Sequence, residues 1–141
     1  MKALVAIDGS ECALRALRYV VEHLEMLGTD PELVLVNVHP PVPSARAKAV
    51  LGSDVIDQYY KDEAEEALAP ARALLMGKPC RVTERAVVGQ PAAQIIATAM
   101  QDVCGLIVVG TQGRSALGNF FVGSVAGRVI AESSIPVLSV K

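Results

Sequence analysis

Glycine and serine residues that suit phosphate binding follow an apolar run late in the chain. Residues 106–109 have no polar interruption, which predicts a strand buried on both faces of a parallel sheet. Gly110 and Gly113 follow this run, and Gly123 and Ser124 stand just before a helical pattern. Glycines allow a ligand close to the backbone amides, and the amides at a helix start favour an anion. The segment therefore predicts a phosphate site, although glycine also serves ordinary turns between a strand and a helix.

Several other residues are candidates for the same site. Asp8 follows the first apolar run and could accept hydrogen bonds from a ribose or hold Mg²⁺ through water. Arg114 could reach a phosphate with its guanidinium, and the amide of Val125 could bind one beside Ser124. The alternatives are a turn role for Asp8, a helix cap for Ser124 and a solvated position for Arg114. His39, a lone histidine at a strand end, is more often a polar turn residue than a general base.

Strand and helix patterns alternate along the chain and would position these residues. Short apolar or alternating runs predict strands at 3–7, 33–38, 81–88, 106–109 and 135–140. Ser10 is predicted to cap the first helix, which ends at Gly28, and Asp54 to cap a helix that runs to about residue 76. Pro70 should kink or interrupt that second helix, because proline removes a backbone donor.

Three further features concern the segments between and beyond these elements. Residues 40–53 contain three prolines and little periodicity, which predicts an irregular segment of the kind that forms lids or disordered flaps. Tyr59 and Tyr60 are predicted to lie in the core or on the helix surface rather than to form a stacking platform. The helix pattern near residue 122 should bury one apolar face, whose members are Val122, Val125, Ala126, Val129 and Ile130.

The alternation predicts one α/β fold with a doubly wound, five-stranded parallel sheet and helices on both faces. In such sheets a ligand binds beyond the carboxyl ends of the strands, at the point where the winding reverses. The two ligand-like turns follow the first strand, at Asp8, and the fourth, at Gly110, so these strands should be neighbours. The resulting order is 3-2-1-4-5. The alternating third strand, residues 81–88, independently suits a sheet edge.

Composition excludes several classes of protein. The 141 residues, of which 52% are hydrophobic, fit a single domain spanning residues 1–141. A net charge of −2 provides no basic field for nucleic acid. The sequence contains no apolar run of about 18 residues, so no membrane span is predicted. Cys12, Cys80 and Cys104 form no metal-binding motif, so we expect reduced thiols in a cytoplasmic protein without zinc.

The glycine loop has a spacing that resembles a known family signature. Gly110, Gly113, Gly123 and Ser124 fill the pattern G-x2-G-x9-G-[ST], which is similar to the ATP-binding signature of the universal stress protein family. The opening MKALVAIDGSECALRALRYV resembles that family's first strand, acidic turn and first helix, and the closing SSIPVLSVK resembles its last strand. The resemblance therefore extends over the whole chain. The sequence contains neither GxxxxGK[ST] nor a GxGxxG directly after its first strand.

The resemblance implies a Rossmann-like fold, similar to that of the adenine nucleotide α-hydrolases, that binds ATP. It implies that Val38 offers backbone groups to the adenine edge, and that Gly110 and Gly113 admit the ribose and phosphates. Gly123, Ser124 and the amide of Val125 would bind the terminal phosphates. It also implies a homodimer through the final strand, whose Val137, Leu138 and Val140 would form an uncharged edge strand in the predicted order.

The residues available favour holding ATP over turning it over. Rapid phosphoryl transfer needs a placed nucleophile, Mg²⁺ and concentrated positive charge, whereas this chain offers glycine amides, Ser124, Arg114 and Asp8. The leading interpretation is a nucleotide-responsive stress module with at most slow ATP hydrolysis. One alternative is an interaction protein of the same fold without nucleotide. The other is an adenylating enzyme, but the DGS at residues 8–10 lacks the second glycine and aspartate of the SGGxDS loop.

Overall fold

A computed structural model of the protein describes residues 1–43, 45–113 and 122–141. The strands are β1 (Lys2–Ala6), β2 (Glu32–His39), β3 (Arg81–Val88), β4 (Leu106–Gly110) and β5 (Val137–Val140). The helices are α1 (Glu11–Glu22), α2 (Ala45–Leu51), α3 (Ser53–Leu75), α4 (Pro91–Gln101) and α5 (Ser124–Glu132). No helix within these described residues is long and apolar enough to cross a membrane.

The five strands form one parallel sheet in the order β3-β2-β1-β4-β5, which confirms the predicted fold and strand order. β1 lies at the centre, where Ala6 pairs with Val36 of β2 and Val5 pairs with Val108 of β4. The winding reverses between β1 and β4. The ends of these two strands therefore open a crevice at the place where the sequence positions Asp8 and Gly110.

Apolar side chains fill both faces of the sheet. On one face α1 and α3 pack against β1 and β2, with Leu17 and Leu35 fully buried. On the other face α4 packs against β2, β1 and β4, and α5 packs against α4 and β5; Ile95 and Val129 belong to one apolar cluster with Leu4 and Val36. Successive residues of β1 alternate between these layers, as the pleat of a strand requires. Two solid layers of this kind hold the strand ends, and hence the crevice, in fixed positions.

The segment 40–53 differs from its predicted irregular structure. Residues 45–51 form α2, because ARAKAVL is composed of good helix formers once the prolines at 40, 41 and 43 have been passed. α3 then begins at Ser53 behind the cap residue Gly52, whose φ is 83°, so Asp54 lies in the first turn and is not the cap. Pro70 lies inside a continuous α3. It is exposed, as is Glu66 one turn earlier, so water can satisfy the carbonyl that proline leaves unpaired.

α5 buries a narrower face than its sequence pattern predicts. Ala126 and Val129 are buried, whereas the side chains of Val122, Val125 and Ile130 are 52%, 38% and 46% exposed. The helix has nine residues and packs mainly on α4 and β5, so a stripe two residues wide fills the available contact. Val125 and Ile130 are therefore surface residues of α5, and Val122 is an exposed residue before the helix begins. β3, by contrast, is an exposed end strand as predicted.

Candidate functional site

A crevice of about 520 Å³ opens at the carboxyl ends of β1, β2 and β4. This volume falls in the range of pockets that bind small ligands, roughly 300–1,000 Å³. Every predicted site residue that the structure describes lines it: Asp8, Val38, Gly110, Gly113, Gly123, Ser124 and Val125. Arg114 lies outside the described residues. Residues far apart in the sequence thus meet at one place.

The turn after β1 presents Asp8 to the crevice. Asp8 Oδ1 accepts a hydrogen bond from the amide of Ser10 at 2.9 Å, and Gly9 takes a φ of 82° to make this turn. Ser10 Oγ in turn accepts from the amide of Ala13 at 3.2 Å, which confirms Ser10 as the cap of α1. One oxygen of Asp8 therefore shapes the turn. A Cβ built on Gly113 would lie 3.0 Å from the other oxygen, Oδ2, so that oxygen faces the glycine loop.

Gly110 is required by packing against α1. A Cβ at this position would lie 2.9 Å from the carbonyl carbon of Cys12 and 3.0 Å from the amide nitrogen of Ala13. These are backbone atoms at the start of a helix, so they cannot move aside cheaply. The absence of a side chain at Gly110 is thus explained by the approach of two backbones, without any ligand.

The two ends of the glycine loop are joined by a backbone hydrogen bond. The amide of Gly123 donates to the carbonyl of Thr111 at 2.6 Å, and the amide of Thr111 donates to Val140 of β5 at 2.8 Å. A Cβ on Gly123 would come within 3.3 Å of the same Thr111 oxygen. This contact fixes the start of α5 beside the end of β4.

The first amides of α5 line the crevice without intrahelical partners. Gly123 is the cap residue, so Ser124 is the first helical residue and not the cap. The first intrahelical donor is Gly127, whose amide donates to the carbonyl of Gly123 at 2.9 Å. The amides of Ser124, Val125 and Ala126 precede it and have no helical carbonyl to reach. This helix end carries partial positive charge, which favours a bound anion.

The backbone of Val38 faces the crevice from the opposite side. The bonds from Glu32 N to Met1 O and from Ile7 N to Val36 O show that even-numbered residues of β2 direct their backbone groups toward β1. β1 ends at Ala6, so the N–H and C=O of Val38 point past the end of that strand. His39 faces the other way, and its carbonyl accepts from the amide of Gly89 at 3.0 Å.

Sequence reasoning missed an aromatic cluster at the end of β2. The ring of His39 lies 5.4 Å from that of Tyr59 and 5.3 Å from that of Tyr60, both on α3. His39 Nε2 is 3.8 Å from a carboxylate oxygen of Glu63, and His39 Nδ1 is 2.6 Å from the carbonyl oxygen of Pro40. Tyr59 and Glu63 are four residues apart on one helix, and this spacing was the available signal. His39 and Glu63 line the crevice.

Asn37 is a second feature that sequence reasoning missed. Its side chain is only 7% exposed, and its Nδ2 donates to the carbonyl of Ile7 at 2.8 Å. Within a run as apolar as ELVLVNVH, one polar residue was the available signal, because a buried amide requires hydrogen-bond partners.

The charges around the crevice are negative in the part of the chain that the structure describes. Asp8 and Glu63 supply carboxylates, and no lysine or arginine belongs to the described lining. The described residues also contain no cluster of three or more side chains that could hold a metal ion alone. The backbone amides at the start of α5 and neutral side-chain donors such as the hydroxyl of Ser124 are therefore the groups in this lining that suit an anion.

Comparison with known proteins agrees with this architecture. A model of the universal stress protein family matches residues 1–141. The Thermus aquaticus universal stress protein of the QAH/OAS sulfhydrylase 3′ region is 36% identical over 141 residues, which cover 98% of this chain and 96% of the relative.

Two solved structures extend the comparison. UspA of Lactobacillus plantarum superposes with a TM-score of 0.80 over 100% of this chain and 97% of its own. Its sequence is 20% identical, so this comparison supports the fold alone. A universal stress protein of Archaeoglobus fulgidus, solved in complex with dAMP, is 26% identical with a TM-score of 0.65 and covers 100% and 98% of the two chains. Because the family model matches along its whole length, the chain belongs to the universal stress protein family.

Proposed function

We propose that the protein binds ATP in this crevice and acts as a nucleotide-responsive module in stress signalling, with at most slow hydrolysis. The observation that carries the proposal is the pairing of two backbone sites across one cavity. The free amides at the start of α5 lie at one side, and the outward-facing N–H and C=O of Val38 lie at the other. The first suits phosphate, and the second suits the hydrogen-bonding edge of a base.

The dAMP complex of the Archaeoglobus fulgidus relative supports an adenine nucleotide as the ligand class. The assignment of ATP in this chain rests on the pattern filled by Gly110, Gly113, Gly123 and Ser124. Of these, Gly123 and Ser124 form the anion-binding helix start, and Gly113 leaves room beside Asp8. Arg114 would contribute a cation to the phosphates. Gly110 serves packing as well.

We propose Mg²⁺ as the accompanying ion, with Asp8 as its protein ligand. Mg²⁺ commonly binds through one or two carboxylates together with phosphates and water, so a single carboxylate at the crevice fits this ion. Asp8 Oδ2 faces the glycine loop, whereas Oδ1 is used by the Ser10 amide. A bound Mg²⁺ would also offset the carboxylate of Asp8 beside the nucleotide phosphates.

Slow turnover follows from the charges that surround the site. Phosphoryl transfer is accelerated by cations and donors aimed at the transferring group. The described lining supplies amides and two carboxylates but no lysine or arginine. His39 contacts Pro40, Tyr59 and Glu63 at the carboxyl end of β2, away from the start of α5, and we assign it no catalytic role.

The first experiment is to quantify nucleotide in protein purified without added ligand. After denaturation, chromatography should find ATP or ADP near one molecule per chain, and calorimetry should detect binding of Mg·ATP to emptied protein. In a Ser124→Asp, Gly113→Val double variant, ATP affinity should fall about a hundredfold, because a carboxylate would stand where a phosphate binds. Protein that is empty as purified and also fails to bind Mg·ATP would reject the proposal in favour of a nucleotide-free interaction protein.

Ser53→Asp is the matched control for the serine substitution. Ser53 is likewise the first residue of a helix behind a glycine cap, Gly52, but it does not line the crevice. Aspartate in a first helical turn is favourable in both helices, so both proteins should remain folded. ATP affinity should fall with Ser124→Asp alone and stay at the wild-type value with Ser53→Asp.

We propose further that two copies of the chain pair through β5 and that the protein works in the cytoplasm. β5 is an end strand of the sheet, and Val137, Leu138 and Val140 are uncharged. Val125 and Ile130 are exposed on α5, a helix that packs against β5, and we propose that they add apolar area to the contact. All three cysteines are free thiols, the state that a reducing compartment maintains, which supports the location.

A further inference from the structure

Asn37 lies where the ladder between β1 and β2 comes to its end. Among the described residues only two polar side chains are buried, Asn37 and Thr98. Asn37 follows four apolar residues in β2 and lines the crevice. Burying an amide is unfavourable unless it is hydrogen-bonded, and its Nδ2 donates to the carbonyl oxygen of Ile7 at 2.8 Å. The contact therefore joins the last residue before the Asp8 turn to the end of β2.

Asn37 donates to the carbonyl oxygen of Ile7, which is the oxygen that a continued ladder would pair with the amide of Val38. The amide of Glu32 donates to the carbonyl of Met1, and the same register places the amide of Val38 opposite the carbonyl of Ile7. Ile7 itself still makes the preceding bond, from its amide to the carbonyl of Val36 at 2.8 Å. Within the described chain, Val38 N makes no bond to Ile7 O, and the side chain of Asn37 occupies that oxygen instead.

This exchange of donors leaves the backbone of Val38 open toward the crevice. A strand residue with both its N–H and C=O unpaired offers a donor beside an acceptor. An adenine presents the complementary pair, a ring nitrogen that accepts next to an amino group that donates. Val38 is half-buried and lines the cavity, so these groups are shielded from bulk water but accessible to a ligand.

We propose that Asn37 is a positioning residue for nucleotide binding: by occupying the Ile7 carbonyl it keeps the Val38 amide free to bind the adenine edge. The inference rests on the proposed function and adds a determinant of base recognition to it. Asn37 acts through Val38 and through the end of β1. It makes no contact with the phosphates, which lie at the α5 side of the crevice.

A test in the free protein uses amide hydrogen exchange followed by NMR. With the Ile7 carbonyl occupied by Asn37, the amide of Val38 should exchange on the order of a hundredfold faster than that of Val36, which lies within the ladder. In an Asn37→Leu variant the Ile7 carbonyl would be left without a donor, a costly state that the Val38 amide can relieve. Protection of Val38 should therefore rise toward that of Val36. Equal protection of the two amides in the wild-type protein would overturn the inference.

A test in the complex compares ATP with analogues that lack one ring acceptor, 1-deaza-ATP and 7-deaza-ATP. Asn37→Leu should lower the affinity for ATP about tenfold, which is the effect of losing one hydrogen bond. Wild-type protein should bind one of the two analogues about tenfold more weakly than ATP, and with that analogue Asn37→Leu should cause no further loss. If Asn37→Leu lowers the affinity for all three nucleotides by the same factor, Asn37 has only a structural role.

Thr98→Val is the control for burial. Thr98 is 6% exposed on α4 and does not line the crevice, and valine keeps its shape. This variant should leave both the exchange of Val38 and the affinity for each nucleotide unchanged. Failure of wild-type protein to bind any adenine nucleotide would instead reject the proposed function, whatever the exchange of Val38 shows.

Discussion

At the scale of single residues, the four positions of the glycine pattern have different physical origins. Gly110 is required because the backbone of α1 lies against it, whereas Gly113 and Gly123 lie beside Asp8 and Thr111 at the loop ends. Ser124 contributes the first amide of a helix. A signature that resembles one ligand-binding motif therefore combines a packing requirement at Gly110 with a proposed anion site at Ser124, and substitutions can test the two separately.

Gly110→Ala should destabilise the fold by about 2 kcal/mol, because overpacking a site bounded by backbone typically costs 1–3 kcal/mol. Its added methyl group would lie 2.9 Å from the carbonyl carbon of Cys12. Gly127→Ala is the control: a Cβ there meets nothing within 4 Å, and alanine in place of a helical glycine should stabilise by about 0.5–1 kcal/mol. Denaturant unfolding measures both. Equal free energies of unfolding for Gly110→Ala and wild type would contradict this packing requirement, because the backbone around Gly110 would then accommodate a methyl group.

The sequence predicted which residues would meet in the crevice better than it predicted their contacts. Residue type and position after a strand were enough for Asp8, Gly113 and Ser124, because parallel strands bring their ends together. The interaction between Asn37 and Ile7 depends on where one strand stops relative to its neighbour, which no local pattern records. The cluster of His39 with Tyr59 depends on how α3 crosses β2, and it too needed the assembled fold.

At the scale of elements, helix boundaries were predicted least well. α2 was missed because the prolines before it dominated the local pattern. Pro70 was expected to kink or interrupt α3, which runs through it without interruption. The broad apolar face predicted for α5 is half exposed, since amphipathic periodicity gives the direction of a buried stripe but not its width. Strands fared better, because buried parallel strands are short runs with little ambiguity.

One charged network joins α3 to the edge strand β3. The guanidinium of Arg72 donates to both carboxylate oxygens of Glu84 on β3, at 2.9 and 2.8 Å, and to those of Glu65 at 2.8 and 3.1 Å. Hydrogen bonds from Arg72 hold the pKa of Glu84, and likewise that of Glu65, below the ordinary glutamate value of 4.5. This network fixes the outer strand to the helix above it.

Replacing Arg72 should change how stability depends on pH. A carboxyl whose folded pKa is lowered contributes stability that is fully present above its unfolded pKa and is lost as the pH falls through the folded value. Arg72→Met should therefore lower the free energy of unfolding near neutral pH, and the difference from wild type should shrink below the ordinary value of 4.5. The side chains are exposed, so the effect should be small and reduced by salt.

Arg128→Met is the control for that experiment. Arg128 pairs with Glu132 one turn along α5, so it joins no separate elements. Unfolding curves recorded across the acidic range should superpose on those of wild type more closely than the Arg72→Met curves do. A constant difference between wild type and Arg72→Met at every pH would contradict the assigned role of Glu84 and Glu65.

At the scale of the whole molecule, strand order was predictable because function and burial constrain it together. The polar turns at Asp8 and Gly110 had to be neighbours to make one site, and the alternating β3 had to be at an edge. The opposite edge, β5, is different in character, since it carries uncharged residues along its four positions. End strands with free backbone groups are normally charged, covered or paired with another chain. This contrast between the two edges is the physical argument for the proposed dimer through β5.

Ser139→Pro should convert the proposed dimer to a monomer without loosening the sheet. The amides of Ile107 and Thr111 donate to the carbonyls of Pro136 and Val140, so alternate residues of β5 face β4, and the N–H of Ser139 faces the open edge. Proline there removes a donor that a partner strand would use and leaves the β4 ladder intact. Sedimentation at micromolar concentration should find a dimer for wild type and for the Ser139→Ala control, and for Ser139→Pro a monomer with the circular dichroism spectrum of wild type and a melting temperature that no longer depends on protein concentration. Monomeric wild-type protein would rule out the dimer, and a dimeric Ser139→Pro would move its interface away from the edge of β5.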